Sequence, residues 1–256
     1  MNNLRAVYSI WLRDLIRYRR DRYRVISSLA QPALFLFVFG NGLARGLSMS
    51  VEKTGGGSEN YVTFIFPGIL GMTLLFTSIF TAVSIVWDRE FGFLKEVMVA
   101  PISRWAIAVG KALGGSSVAV IQGIFILLMA PILGIKLTPL LVLELLPLMF
   151  LISISLSSMG IVIAARMESM EGFQMVLNFL VMPLFILSGA MFPLKNLPEW
   201  LQFFTRINPL SYGVDALRGI MLGPSLAEFS VAFNVTIIAI FASIMLFFAV
   251  VLFNRS

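Results

Sequence analysis

The chain contains no cysteine and no histidine in 256 residues. That excludes disulfides, thiolate nucleophiles, Cys/His zinc sites and imidazole acid–base catalysis. Charge is also scarce, at 12% of residues, about half the density of a soluble domain. Most of the sequence therefore does not face water. What fills it instead is apolar: 59% of residues are hydrophobic, and mean hydropathy is +0.94. This composition describes an integral membrane protein that uses nearly all of its length in spanning. The net charge of +6 is no nucleic-acid footprint, because no basic stripe is interleaved with stacking aromatics in a polar setting. Basic residues of membrane proteins gather on the cytoplasmic side, so the bilayer is the expected neighbour.

A hydrocarbon core about 30 Å thick takes about 20 apolar residues per helix. Six runs qualify, at 25–44, 62–86, 106–134, 140–165, 174–192 and 231–253. They predict an all-α integral membrane protein, a single transmembrane domain over 1–256. Barrel strands would alternate with a dyad period instead. Thirteen basic residues lie in segments on the side of the N-terminus and of the 87–104 link, against six on the other side. The excess predicts both termini in the cytoplasm. Lys111 and Glu144 lie near run ends, where long side chains are expected to reach the interface. Gly42-Leu43-Ala44 loosely fits a signal-cleavage site, but its apolar run starts after 24 residues of charged sequence and contains Gln31-Pro32. An uncleaved first span is expected.

Before that span, Leu4, Val7, Tyr8, Trp11, Leu12, Leu15 and Ile16 recur at helical spacing, with Arg13, Asp14, Arg17, Arg20, Asp21 and Arg24 opposite. This predicts an amphipathic helix over 1–24 lying in the inner interface. It is either a simple anchor or an elbow that also meets a cytoplasmic partner. Between the second and third runs, Asp88-Arg89-Glu90 and Lys95-Glu96 flank Gly92, and Pro101 precedes Ser103-Arg104. A short cytoplasmic helix from Asp88 to about Val99, stopped near Pro101, is expected. Its apolar strip of Leu94, Val97 and Met98 fits either lipid head groups or the cleft of another protein. The residues alone leave both open.

Gln122, Gln174 and Asn178 are amides inside apolar runs, where an unpartnered amide is expensive. Each is expected to face protein or a cavity. Gln174 and Asn178 share a helix face with Met182. The 193–230 segment falls on the outer side by parity and mixes Glu199, Arg206, Asp215 and Arg218 with Trp200, Phe203 and Phe204. A re-entrant helical hairpin turning near Asn208-Pro209 accommodates those charges. The spacing of Asp215 and Arg218 allows an ion pair on one helix face.

Taken in order, Asp88-Arg89-Glu90-x-Gly92-x-Leu94-x-Glu96, Ala100-Pro101-Ile102-Ser103-Arg104 and Gly110-Lys111 resemble the signature of type-2 ABC exporter permeases. The nearest pattern is the drug-resistance and nodulation-factor export branch. The likeness continues through Phe66-Pro67-Gly68-Ile69, Ser188-Gly189-Ala190-Met191-Phe192-Pro193, Leu197-Pro198, Asn208-Pro209-Leu210-Ser211-Tyr212, Asp215-Ala216-Leu217-Arg218-Gly219 and Gly223. It covers the whole chain. Phe93 departs mildly, standing where the family often has a small polar residue.

The resemblance implies that 87–104 is a coupling helix seated in a nucleotide-binding subunit. Asp88, Arg89, Glu90, Gly92, Leu94, Lys95, Glu96, Pro101 and Arg104 would then carry the ATPase contact. It implies a fifth span lining a route between two copies, with Gln174, Asn178 and Met182 as the pathway face. Asn208, Pro209, Asp215 and Arg218 would belong to the outer re-entrant segment. No phosphate loop is present, since Lys111 is followed by Ala112, so ATP and Mg are expected on a separate ABC ATPase subunit and no cofactor on this chain. The remaining partner is a second copy or a homologous permease. The expected role is export of an amphipathic or hydrophobic compound, drug or lipid-like, across the inner (plasma) membrane, with an oligosaccharide or glycolipid as the alternative cargo. No residue is expected to do bond chemistry. An ion-coupled transporter acting alone would need paired ionisable groups mid-membrane, and none lies near a span centre. A membrane scaffold would leave the charged insert idle.

Overall fold

Where no water reaches, each peptide group must find its hydrogen bond within the chain, and a helix supplies it locally. The computed structural model describes residues 3–21, 23, 25–26, 28–38, 61–90, 103–167, 169–192 and 198–255, and among these every regular element is helical. In chain order they are α1 (Asn3–Arg20), α2 (Ser28–Val38), α3 (Tyr61–Thr81), α4 (Val83–Glu90) and α5 (Arg104–Leu127). Then come α6 (Pro139–Ala164), α7 (Met170–Ile186), α8 (Glu199–Ile207), α9 (Pro209–Leu222) and α10 (Val231–Arg255).

Local chemistry sets the starts and stops. The Thr138 hydroxyl accepts from Leu141 N–H, with Pro139 in the first turn of α6, and the Ser169 hydroxyl accepts from Gly172 N–H at the start of α7. These are N-caps that satisfy otherwise orphaned donors. A 3-10 turn at Ala130–Leu133 extends α5 and ends at Gly134, whose φ of +80° only glycine takes without strain.

Among the described residues, four helices are long and apolar enough to cross a membrane: Val62–Glu90, Arg104–Leu133, Pro139–Ala164 and Val231–Phe253. They match four of the expected runs. The fifth expected run, 174–192, is occupied by α7, which starts earlier and stops at Ile186. A turn follows, with Ser188 Oγ donating to Phe185 C=O and Gly189 at a φ of +71°. Only 28–38 of the first expected run is described as helix, as α2.

The core is built around α3. Within Val62–Glu90, 67% of the most apolar stretch is buried, against 17% in Val231–Phe253 of α10, and α3 touches α5, α6, α7 and α9. Phe66, Leu70, Leu74, Leu75 and Ile79 of α3 meet Met149 and Leu156 of α6 and Phe173 and Leu177 of α7 in one apolar cluster.

The N-terminal helix departs from the amphipathic expectation in one respect. It packs lengthwise on α5 through Ala6, Ile10, Asp14 and Tyr18, and Trp11 Nε1 donates to Ser117 Oγ at 2.9 Å. Leu4, Tyr8 and Ile16 of the expected apolar stripe stay exposed. Asp14 therefore points into protein instead of sharing the water-facing side with the arginines. Close approach depends on α5 having no side chain at the contact. A Cβ on Gly110 would stand 2.9 Å from Ile10 Cβ, and one on Gly114 would stand 2.9 Å from the Asp14 carboxylate. Gly114→Val is accordingly expected to lift α1 from the bundle at an overpacking cost of about 1–3 kcal/mol. Faster tryptic cleavage in α1 reads this out; unchanged cleavage would mean that the two helices do not depend on that contact.

Candidate functional site

Three consecutive charged residues at the end of α4 each hold a different helix. Asp88 lies 3.7 Å from Lys111 Nζ of α5 and 3.7 Å from the Arg13 guanidinium of α1. Arg89 donates to Ala165 C=O at 2.9 Å and to Met167 C=O at 3.2 Å, just past the C-terminus of α6. A cation there complements the helix dipole and pairs with carbonyls that have no helical donor. Glu90 accepts from Met170 N–H at 3.2 Å, the first residue of α7, where a carboxylate is favoured for the mirror-image reason. Between them the three residues reach α1, α5, α7 and the residues just past α6.

Behind it sits a charge cluster that sequence reasoning missed. Lys111 is only 6% exposed. Its ammonium lies 3.4 Å from Asp14 and donates to Ser84 Oγ at 2.8 Å. The expectation that Lys111 extends to the interface is therefore corrected: two carboxylates from different helices draw it inward. The signal was a lysine set among Gly110, Gly114 and Gly115, where close helix packing leaves no path outward. Of the remaining coupling residues, Arg104 opens α5, while Gly92, Leu94, Lys95, Glu96 and Pro101 lie outside the described residues, as does most of the expected Asp88–Val99 helix. Asp88 to Glu90 are helical, as part of α4.

At the opposite end of α3, α9 performs a matching task on α7. Asn208 Nδ2 donates to Leu184 C=O at 2.7 Å, Ser211 Oγ to Leu187 C=O at 3.1 Å, and Arg218 Nη2 to Gly189 C=O at 2.7 Å. Side chains spaced along one face of α9 thereby cap the terminal carbonyls of α7 and the turn after it. α8 and α9 meet at Asn208, whose side chain also caps α9 by accepting from Leu210 N–H. The expected Asp215–Arg218 ion pair is not formed. Asp215 accepts from Glu228 N–H at 2.8 Å, Phe229 N–H at 2.9 Å and Asn234 Nδ2 at 2.8 Å. Arg218 turns the other way, its Cζ 4.1 Å above the Phe64 ring. Three N–H donors hold the carboxylate, while a carbonyl and an aromatic face engage the guanidinium, whose buried Nε has no hydrogen-bond partner among the described residues.

Between these ends lies a cavity of about 500 Å³, walled by α1, α2, α3, α4, α5 and α7. Ser28, Gln31, Thr73, Thr77, Ser84, Gln122 and Gln174 give it hydroxyls and amides; Met72, Phe76, Phe80, Val83, Trp87 and Val118 give it apolar surface. Among the described residues, Arg17 and Asp21 are its charged lining residues. Gln122 accepts from Thr77 Oγ1 and donates to Ser28 Oγ, tying three helices together. Of the three residues expected on a pathway face, Gln174 lines this cavity. Asn178 and Met182 do not; they lie on the exposed face of α7 with Met175 and Phe179. The stripe Thr73, Phe76, Thr77, Phe80, Ser84 and Trp87 was open to detection, since polar residues recurring on one face of an apolar run mark a surface that avoids lipid. Among the described residues no three His, Cys, Asp or Glu side chains are grouped to hold a metal ion.

Comparison with known proteins bears on this arrangement. A family model described as ABC-2 type transporter matches residues 5–222. The putative transport permease ycf38 of Cyanophora paradoxa is 31% identical over 217 residues, covering 84% of this chain and 73% of that protein. Nodulation protein J of Rhizobium meliloti (strain 1021) is 26% identical over 250 residues, covering 96% and 92%. The probable multidrug ABC transporter permease YbhR of Escherichia coli (strain K12) is 30% identical over 165 residues, covering 64% and 45%. The matched region runs from α1 through α9 and so takes in the α4 triplet, the Lys111 cluster and the cavity: the chain is a permease of the ABC-2 type transporter family.

Proposed function

We propose that this chain is the membrane-spanning half of an ATP-driven exporter. In this reading α2 and α7 belong to two further spans, giving six, with both termini and residues 87–104 in the cytoplasm of a cell whose inner (plasma) membrane it crosses. ATP and Mg are held by a separate ABC ATPase subunit. Two copies of the permease stand side by side, and an amphipathic or hydrophobic compound leaves between them.

The Asp88-Arg89-Glu90 clasp carries the proposal. Residues 91–102 continue directly from it, so a push on that segment reaches α1, α5, α7 and the residues just past α6 together through the contacts above. Binding and closure of nucleotide in the ATPase would thereby bias the bundle between inward- and outward-accessible packings. The three charged groups face the chain's own helices, which makes them transmitters of motion. Contact with the ATPase then falls to residues such as Lys95 and Glu96. The α7 face supports pairing: Asn178 is exposed beside Met175, Phe179 and Met182, and an amide facing hydrocarbon is costly unless protein covers it.

Reconstituted with its ATPase, Glu96→Arg is expected to reduce the stimulation of ATP hydrolysis at least tenfold by reversing a contact charge. Arg89→Ala is expected to leave ATPase binding intact while uncoupling hydrolysis from transport. Wild-type stimulation and transport in both variants would sink the proposal.

A further inference from the structure

The end of the bundle away from the Lys111 cluster carries an unpaired acid on its outer side. α5 and α6 are joined there by a turn through Gly134, and Glu144, in the second turn of α6, is the one charged residue of that 26-residue helix. It is exposed and has neither hydrogen bond nor ion pair among the described residues. Three residues further on, Pro147 offers no N–H, so the Leu143 C=O loses the donor that a helix would give it. Leu143 and Pro147 are both exposed. Two acceptors, one of them charged, thus stand one residue apart on a side of α6 that the described residues leave uncovered. Lys136, in the turn before α6, is exposed as well and makes no ion pair with Glu144. Ile132, Leu140 and Leu143 add exposed apolar surface to the same hairpin.

In a membrane, the depth of Glu144 decides what meets it. α6 is about 39 Å long, against a hydrocarbon core of about 30 Å. With the excess shared between its ends, the first turn stands among the head groups, and Glu144, about 8 Å along the axis, lies at their boundary. Helical side chains lean towards the N-terminus, which carries the carboxylate back to head-group level. We infer that Glu144 and Lys136 hold the head group of a phospholipid bearing a primary ammonium. The carboxylate takes the ammonium, Lys136 takes the phosphate, and the acyl chains lie along Ile132, Leu140 and Leu143. A primary ammonium brings a positive charge and three N–H donors, which match a charged acceptor with a stray carbonyl beside it. A trimethylammonium carries the charge without a donor, and an acidic head group offers Glu144 no cation. The inference needs α5 and α6 to cross a membrane and needs nothing of the transport reading.

Native mass spectrometry of the full chain provides the test. The purified protein is equilibrated in detergent with equal amounts of phosphatidylethanolamine, phosphatidylcholine and phosphatidylglycerol of one acyl composition, and the lipids retained are counted. Phosphatidylethanolamine is expected to be retained about tenfold over either of the others, the worth of a charge-assisted hydrogen bond. Glu144→Leu should bring phosphatidylethanolamine down to the phosphatidylcholine level. Lys136→Met should weaken both alike, since both carry the phosphate. Neither side chain has a partner among the described residues, so neither change should move the thermal unfolding midpoint. Retention of phosphatidylcholine or phosphatidylglycerol equal to that of phosphatidylethanolamine overturns the inference, and so does a preference that Glu144→Leu leaves intact. A loss of dimer mass in Glu144→Leu assigns the carboxylate to a second copy of the chain and overturns it as well.

Discussion

Lys111→Met is expected to destabilise the protein by about 3 kcal/mol or more, because removing one member of a buried ion cluster strands the charges opposite it. Asp14 and Asp88 would be left facing each other across α5, neither more than 16% exposed. Arg13 remains 3.9 Å from Asp14 and 3.7 Å from Asp88, which limits the loss. Its own replacement by alanine should matter far less, about 1 kcal/mol or below, since its side chain is 43% exposed and solvent screens it. The diagnostic variant combines Lys111→Met with Asp14→Asn and Asp88→Asn. A neutral cluster of similar shape should recover most of the lost stability, as exchanging a whole buried ion network for neutral groups is often close to neutral. Thermal unfolding in detergent and tryptic release of α1 give the two readings. If Lys111→Met is no worse than Arg13→Ala, or the triple variant no better than the single, the cluster does not hold α1 to the bundle.

The second large effect is expected at the other end, on the connection between α9 and α10. Asp215→Leu removes the one acceptor serving three donors, on Glu228, Phe229 and Asn234. An orphaned buried donor costs about 1–3 kcal/mol; Asn234 is buried and the two backbone donors are in part-buried bonds, so a loss of about 3 kcal/mol is expected. Asp215→Asn keeps the shape and one acceptor oxygen and should fall between leucine and wild type. Arg218→Lys provides the contrast. It keeps the charge but loses the planar contact with Phe64 and should cost less than Asp215→Leu. The order of unfolding midpoints decides the matter. If Asp215→Leu and Arg218→Lys lie together, the pair acts as a local ion pair after all.

The helical class, the four long spans and the meeting of two helices at Asn208 were all legible in the linear chain. Each rests on signals that act over one or two turns: run length, proline placement and capping side chains. Most of the departures come from contacts between residues far apart in the chain. Asp14 and Lys111 are separated by 97 positions and Arg89 from its carbonyls by 76 and 78. Nothing in local periodicity says which of several nearby charges will meet. The same holds for the cavity, whose lining residues run from Arg17 to Gln174 in the chain and come together only when the helices between them are packed. Asp215 and Arg218 illustrate the point at short range. Their spacing permits a pair, yet the α9–α10 connection and the turn after α7 bring partners to each that geometry prefers.

Composition and apolar periodicity by themselves determined that the chain lives in a membrane as helices, because the bilayer penalises any other arrangement of peptide groups. Tertiary structure alone decided that the Asp88-Arg89-Glu90 charges reach α1, α5, α7 and the residues just past α6, that Lys111 turns inward, and that polar side chains from separate spans enclose one cavity. Those outcomes depend on which helix faces pack together, and that choice is made by the fit of small residues and buried partners across the whole bundle.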